Sequence, residues 1–156
     1  LVRERLDPVD VGALLTRIVE GFRLRESGRA ELHFDVIGGP HIVEATEDRL
    51  TQVFENILDN ALSFTPDGAA VRVDVVSENT EVVARISDEG PGIPEANLAR
   101  IFDRFFSHRP DARRHAGGHT GLGLAIVKTI VEAYGGTVSA ANGAAGAVFT
   151  IRLPRS

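Results

Sequence analysis

The strongest constraint on how this chain can fold is a stripe of apolar residues within positions 50–62. Apolar side chains recur there with the three- and four-residue spacing of an amphipathic helix that packs one face against a core. Thr46 and Asp48 supply a helix start, and residues 65–68, with the sequence TPDG, supply the turn chemistry that ends a helix. The sequence therefore predicts a central buried helix, and its core face consists of Leu50, Val53, Phe54, Ile57, Leu58, Ala61 and Leu62.

Two asparagines, Asn56 and Asn60, lie one turn apart at an edge of this stripe. At about 100° per residue, their side chains are separated by about 40° around the helix axis. We expect an edge position to be half-buried, so that both amides can contact a ligand held against the core. Glu55 lies about 100° round the helix from Asn56, and we therefore reject it as a general base. Without further motifs, two solvated polar residues on a helix are the simpler interpretation.

Length, charge and cysteine content exclude several classes of protein. A chain of 156 residues suits one domain with a real core. The absence of cysteine excludes a disulfide framework and thiolate metal sites. The net charge of -5 gives no overall attraction to nucleic acid or to an anionic membrane. The most apolar later run, residues 121–134, is interrupted by Lys128 and Glu132 and is too short to span a bilayer.

The rest of the pattern predicts alternating helices and hairpins. Asp10 is a candidate N-cap for a first helix, and His33 and His41 are expected at strand surfaces. The element order predicts an α/β two-layer sandwich, in which about three helices cover one face of a mixed, mostly antiparallel sheet. The predicted helices besides the central one are residues 11–22, 94–99 and 122–134, and the predicted hairpins are 31–37 with 41–45, 70–77 with 81–87, and 137–140 with 147–153.

A second motif, residues 88–94 with the sequence DEGPGIP, directly follows a predicted strand. Gly90 and Gly92 would let the backbone approach a ligand without an intervening Cβ atom. The Asp88 carboxylate, at the end of the strand, can accept a hydrogen bond from an amino group. An ordinary Gly-Pro turn explains this stretch equally well when it is taken alone.

A third motif, residues 117–125 with the sequence GGHTGLGLA, leads straight into a predicted helix. Free N–H groups and the positive end of the helix make such a stretch an anion site. It is not a P-loop, because no Gly-Lys-Ser/Thr follows, and it is not a dinucleotide fingerprint, because no strand immediately precedes it. As a single glycine-rich turn it has low specificity.

In this order and spacing, the three motifs together resemble the catalytic and ATP-binding domain of bacterial two-component sensor histidine kinases. That domain has the Bergerat fold, which it shares with the gyrase B and MutL ATPases. The resemblance covers about residues 10–153. It identifies residues 56–61 with the N box of the family, 88–93 with the G1 box, 101–106 with the F box, and Gly117 with 121–124 with the G2 box.

The resemblance implies that ATP and Mg²⁺ bind at these motifs. It implies Asn60 as the Mg²⁺ ligand and Asp88 as the acceptor for the adenine amino group, beneath a flexible lid at about residues 105–120. It implies Asn56 and Arg104 as catalytic residues, with Arg104 contacting either the triphosphate or a docked substrate helix. The nucleotide-binding residues that it implies are Asn56, Asn60, Phe64, Asp88, Gly90, Gly92, Ile93, Gly117, Thr120, Gly121, Leu122 and Gly123.

Asn56 also bears on the reaction that the resemblance implies. Hydrolysing members of the superfamily carry a Glu four residues before the Mg²⁺-ligating Asn, and this chain has Asn56 there. An amide cannot take a proton from water, so we expect slow hydrolysis and transfer of the γ-phosphoryl group to a histidine. None of the five histidines here has the context of a phosphoacceptor, an acid next to it and a proline nearby. We therefore expect residues 1–9 to be the tail of a linker from an absent upstream domain, and residues 10–156 to be the catalytic domain.

The resemblance further implies partners and a location. The partners are the protein's own dimerisation and phosphoacceptor domain, within a homodimer, and a response regulator, with no nucleic acid. This domain would be cytoplasmic, and the full-length protein would be anchored in the bacterial inner membrane.

Ser63 and Ser107 depart from the family, which often has basic residues at those positions. Three alternatives stay open: a nucleotide-binding pseudokinase that only mediates interactions, an ATPase module like gyrase B or MutL, and a plain structural α/β domain.

Overall fold

Seven strands and four helices follow one another along the part of the chain that the computed structural model describes, residues 5–25, 29–104, 106 and 123–156. The predicted central helix is the longest of the helices. In chain order the elements are β1 (Asp7–Asp10), α1 (Val11–Arg25), β2 (Glu31–Val36), β3 (Ile42–Ala45), α2 (Glu47–Phe64), β4 (Ala70–Glu78), β5 (Glu81–Asp88), α3 (Glu95–Leu98), α4 (Gly123–Ala133), β6 (Thr137–Asn142) and β7 (Ala147–Pro154).

Five strands form the main sheet, in the order β2-β4-β5-β7-β6. Strands β2 and β4 are parallel, and the other neighbours are antiparallel. Along β4, Val71, Val73 and Val75 are buried, whereas Arg72 between them is exposed, so one face of the sheet lies against the core. Helix α1 contacts β2, α2 contacts β5 and α4 contacts β6. The predicted two-layer α/β sandwich with a mixed, mostly antiparallel sheet is confirmed.

Helix α2 is the centre of the helical layer. All seven residues of its predicted core face are at most 1% exposed, and burying each Leu, Ile, Val or Phe side chain contributes about 1.5–3 kcal/mol. Helix α4 packs antiparallel to α2, because Gly123 at its start lies beside Asn56 and the Tyr134 hydroxyl after its end accepts a 3.1 Å hydrogen bond from the Thr46 backbone N–H. The Thr46 side chain itself makes no capping hydrogen bond to the described residues.

The predicted hairpin of residues 31–37 with 41–45 is wrong. Strand β2 pairs with β4 in the main sheet, whereas β3 pairs with β1 in a separate two-stranded sheet, with Asp7 opposite Ala45. Residues 7–9, expected to be the tail of a linker, therefore form a strand of the domain. Asp10 has the predicted capping role, since its Oδ1 accepts a 2.9 Å hydrogen bond from the Gly12 N–H.

His41 is buried rather than at a strand surface, with only 1% of the residue exposed. The turn between the two sheets brings it under the start of α1, where its carbonyl oxygen accepts a 2.8 Å hydrogen bond from the Val11 N–H. Its Nδ1 is 2.7 Å from the Ser77 hydroxyl, at the far end of β4. This contact connects the small sheet to the main one.

In the described part of the chain, no helix combines the length and the apolar character that crossing a bilayer requires.

Candidate functional site

The three sequence motifs come together where α2 ends, β5 ends and α4 begins. A Cβ atom placed on Gly90 would lie 2.6 Å from the carbonyl oxygen of Phe64, so the turn after β5 packs directly on the last turn of α2. A Cβ atom on Gly123 would lie 3.9 Å from the Asn56 amide, so the start of α4 faces the same helix. Residues far apart in sequence therefore surround one region at the edge of the core.

The two asparagines of α2 differ in burial. Asn60 is only 7% exposed, more buried than the half-buried edge position predicted for it, whereas Asn56 is half-buried as predicted. Among the described residues, no group hydrogen-bonds to either side-chain amide. An amide oxygen at such a position is a ligand suited to Mg²⁺.

Asp88 is the buried acid of the site, with 5% of the residue exposed. Its Oδ1 accepts backbone hydrogen bonds from Gly90, at 2.9 Å, and from Ala147, at 3.2 Å. Burial raises the pKa of this carboxyl above its ordinary value, and the two backbone donors partly oppose that rise. Both of these donors occupy Oδ1, so Oδ2 is the oxygen that can accept an amino group of a ligand.

The remaining residues considered in the turn after β5 and at the end of α2 have structural explanations as well. Gly92 adopts a φ of 80°, which favours glycine, and a Cβ atom there would lie 2.8 Å from the Asn142 side chain. Ile93 is 4% exposed and belongs to the core. Phe64 is half-buried at the end of α2. Ser63 is buried and donates a hydrogen bond to the backbone carbonyl of Asn60, in place of the basic side chain that the family often has there.

Arg104 is exposed in a groove between the start of α2 and the outer face of α4. The groove has a volume of about 330 Å³ and is also lined by Arg49, Ala125, Ile126, Thr129 and Ile130. Arg49 is seven residues before Asn56 on α2, a distance of about 10 Å along the helix. Both roles predicted for Arg104 stay predictions.

The predicted lid, about residues 105–120, lies outside the described residues except for Phe106. The predicted nucleotide-binding residues Gly117, Thr120, Gly121 and Leu122 also lie outside them. Of the G2 box, the structure describes Gly123 and Leu124.

Three residues of the site were not predicted from the sequence. Asn142, expected in a hairpin turn, is the last residue of β6, and its side chain makes two hydrogen bonds to the backbone of Ile93. Gly146 packs against Asp88, and Glu89 accepts a 2.8 Å hydrogen bond from the Ala70 N–H. These contacts join residues that are 19 to 58 positions apart, and a local sequence pattern does not indicate such contacts. The glycine-rich turn after Asn142 was the only signal.

Replacing Gly146 with alanine is expected to displace Asp88. The added Cβ atom would lie 2.4 Å from the Asp88 carbonyl oxygen and 2.6 Å from its Oδ1, distances that force the backbone to shift. We expect a loss of about 1–3 kcal/mol in the free energy of unfolding, measured by urea denaturation.

Gly21→Ala is the matched control for this substitution. Nothing lies within 4 Å of a Cβ atom at that position of α1, so we expect a gain of about 0.5–1 kcal/mol. Equal stability of Gly146→Ala and Gly21→Ala would show that the Asp88 turn tolerates the extra atom.

Comparison with known proteins is consistent with this geometry. Residues 45–156 match the family described as histidine kinase-, DNA gyrase B-, and HSP90-like ATPase. The sensor protein KdpD of Clostridium acetobutylicum is 46% identical over 110 residues, which are 68% of this chain and 12% of KdpD. The chain thus spans a small part of the length of this curated relative.

Solved structures of sensor histidine kinases superpose on nearly the whole chain. The mycobacterial sensor histidine kinase MprB has a TM-score of 0.83 and 32% identity, covering 96% of this chain and 97% of the MprB chain. Full-length ShkA in complex with AMPPNP has a TM-score of 0.82 and 29% identity, covering 99% of this chain and 32% of the ShkA chain. The chain therefore belongs to the histidine kinase-, DNA gyrase B- and HSP90-like ATPase family, as an ATP-binding catalytic domain of the sensor histidine kinase type.

Proposed function

We propose that this domain binds Mg-ATP and transfers its γ-phosphoryl group to a histidine on a separate dimerisation domain. The observation that carries the proposal is that helix α2, which carries Asn56 and Asn60, contacts both the start of the glycine-led helix α4, at Asn56, and the turn that follows the buried carboxylate Asp88, at Phe64. One end of this site suits an amino group, and the other suits phosphates and a cation. ATP has both of these groups.

Asp88 would orient the base of the nucleotide. With Oδ1 held by two backbone N–H groups, Oδ2 accepts the exocyclic amino group of adenine. Phe64, Gly92 and Ile93 would form the surroundings of the base. The ATP analogue AMPPNP in ShkA, a relative with the same fold, supports a nucleotide as the ligand.

Asn60 would hold Mg²⁺ through its amide oxygen, with Asn56 alongside the phosphates. A neutral amide suits a hard cation that takes most of its charge balance from phosphates and keeps several waters. When bound, Mg²⁺ neutralises charge on the phosphates and so favours phosphoryl transfer. The backbone N–H groups at the start of α4, with Gly123, would face the same phosphates.

Asn56 would favour transfer to histidine over hydrolysis. An amide cannot accept a proton from an attacking water, and the neighbouring Glu55 is exposed to solvent. In the transfer, the bond from the γ-phosphorus to the β–γ bridging oxygen breaks and a bond to an imidazole nitrogen forms. The imidazole proton leaves to a base on the acceptor side. Catalysis by this chain then rests on positioning and charge neutralisation.

The groove beside Arg104 would dock the domain that carries the acceptor histidine. Two cationic side chains, Arg49 and Arg104, flank an apolar surface of α4 there, which complements a helix with an acidic residue next to its histidine. For the whole protein we propose a homodimer, membrane anchoring and transfer of the phosphoryl group onward to a response regulator.

Radiolabelled ATP with a purified acceptor domain tests the proposal. Labelling the acceptor histidine in the presence of this chain and Mg²⁺ is the expected result. ATP binding without labelling would instead favour the pseudokinase alternative. Sustained ATP turnover without any acceptor would favour the ATPase alternative.

ATP binding should weaken in acid. Burial raises the pKa of Asp88 above its ordinary value of 3.8, and only the ionised carboxylate accepts hydrogen bonds at both oxygens. Affinity should therefore fall as the pH drops through this raised pKa. Calorimetric titrations at pH values from neutral to acid would measure it. Asp88→Asn should bind weakly without this acid-dependent step, and an unchanged step in that variant would assign it to another group.

A further inference from the structure

The side chain of Asn142 makes two hydrogen bonds to the backbone of Ile93, in the turn after β5. Its Oδ1 accepts a 2.7 Å hydrogen bond from the Ile93 N–H, and its Nδ2 donates a 2.8 Å hydrogen bond to the Ile93 carbonyl oxygen. Both polar groups of the amide are thus hydrogen-bonded to the backbone of the same residue. The same Oδ1 lies 2.8 Å from the Cβ position of Gly92, so the side chain also fits closely against the preceding residue.

The facing strand at the same end of this hairpin holds Asp88. In the register of β6 with β7, Asn142 is paired with Ala147, and the Ala147 N–H donates to Asp88 Oδ1 at 3.2 Å. Gly146 packs against the Asp88 backbone. The β6–β7 hairpin therefore fixes both the acid that would accept the adenine amino group and the turn beside which the base would lie.

We propose that Asn142 is a positioning residue for adenine recognition, which it controls by fixing the Gly92–Ile93 backbone relative to Asp88. This inference rests on the proposed function, because it assigns a role in selecting the base of the nucleotide. Without the two hydrogen bonds, the turn relaxes relative to Asp88, and the geometry that suits an amino group is lost. GTP presents a carbonyl oxygen at that place on the base, so relaxation should cost ATP affinity and leave the weak GTP affinity nearly unchanged.

Substitutions at this position are suited to a test because Asn142 is exposed and lies outside the core. Asn142→Ala removes both hydrogen bonds. Asn142→Asp keeps the shape but cannot donate from an ionised carboxylate, and it sets that carboxylate against the Ile93 carbonyl oxygen. The matched control is Ser139→Ala, an exposed residue in the same strand whose side chain makes no hydrogen bond to the described residues.

Calorimetric titration of the chain with Mg-ATP and with Mg-GTP gives the two affinities for each variant. We expect Asn142→Ala to bind ATP about tenfold more weakly, the effect of two lost hydrogen bonds, with a parallel fall in the preference for ATP over GTP. Asn142→Asp should lose at least as much. Ser139→Ala should bind as the unaltered chain does.

Two results would overturn the proposal. One is an Asn142→Ala variant with the ATP affinity and the ATP-over-GTP preference of Ser139→Ala. The other is a variant that melts at lower temperature and weakens both nucleotides equally, which would assign Asn142 a purely structural role. Failure of the unaltered chain to bind ATP is a separate outcome, and it would overturn the proposed function as well.

Discussion

Asn60→Ala should reduce Mg-ATP affinity by at least about 100-fold, since replacing groups that merely support metal ligands already costs about 10- to 100-fold. Asn60 is buried, and its side-chain amide makes no hydrogen bond to the described residues, so its removal breaks no hydrogen bond there. Alanine also favours a helix. We therefore expect the Asn60→Ala variant to fold but to lose Mg-ATP binding.

Calorimetry with and without Mg²⁺ measures this effect, together with circular dichroism to verify the fold. Gln52→Ala is the matched control, because it removes an amide from the exposed side of the same helix. It should bind Mg-ATP as the unaltered chain does. If Asn60→Ala retained Mg²⁺-dependent affinity, the cation site would have to be placed elsewhere.

Asp88→Ala should reduce ATP affinity by about 10- to 100-fold, the range expected for losing a hydrogen bond to a charged group. The substitution also leaves the N–H groups of Gly90 and Ala147 without their acceptor, which costs about 1–3 kcal/mol of stability. The nucleotide effect and the folding effect can be separated, because only the first depends on the base.

Titration with ATP and GTP separates the two effects. Asp88→Ala should lose affinity for ATP while its affinity for GTP changes little. Asp48→Ala, an exposed acid in the first turn of α2, serves as the control for removal of a carboxylate. An equal loss for both nucleotides would mean that Asp88 supports the fold of the site without selecting the base.

Periodicity was sufficient to predict the parts of the fold that follow local rules. The stripe of α2 became a fully buried helix face, and the tight turn at Asn79 joins β4 and β5 as predicted. The motifs in their fixed order predicted one site, and in the structure the start of α4 lies beside Asn56 while the turn after Asp88 packs on Phe64 of the same helix.

Pairing between strands was predicted less well, because pairing depends on partners distant in sequence. Strand β3 was assigned to its neighbour β2, since its true partner β1 has the sequence DPVD, in which Pro and Asp disfavour strands. His41 was misplaced for the same reason. Its burial follows from the turn between the sheets passing under α1, a tertiary contact that a polar residue type does not indicate.

The contacts that support the site also could not be predicted from sequence patterns. Asn142 precedes a glycine, a typical turn signal, and its side-chain bonds to Ile93 depend on two hairpin ends meeting across the sheet. Arg104 could be placed in a box of the family, but only the packing of α2 on α4 indicates which groove it lines.

The fate of the γ-phosphoryl group tests the central claim most directly. In a single turnover of γ-labelled ATP, with this chain, Mg²⁺ and a histidine-bearing dimerisation domain, label on the acceptor can be separated from free phosphate. We predict that most of the label becomes acid-labile, alkali-stable phosphohistidine and that little free phosphate forms when the acceptor is omitted. Free phosphate as the main product, with or without the acceptor, would contradict the claim that Asn56 reserves ATP for transfer.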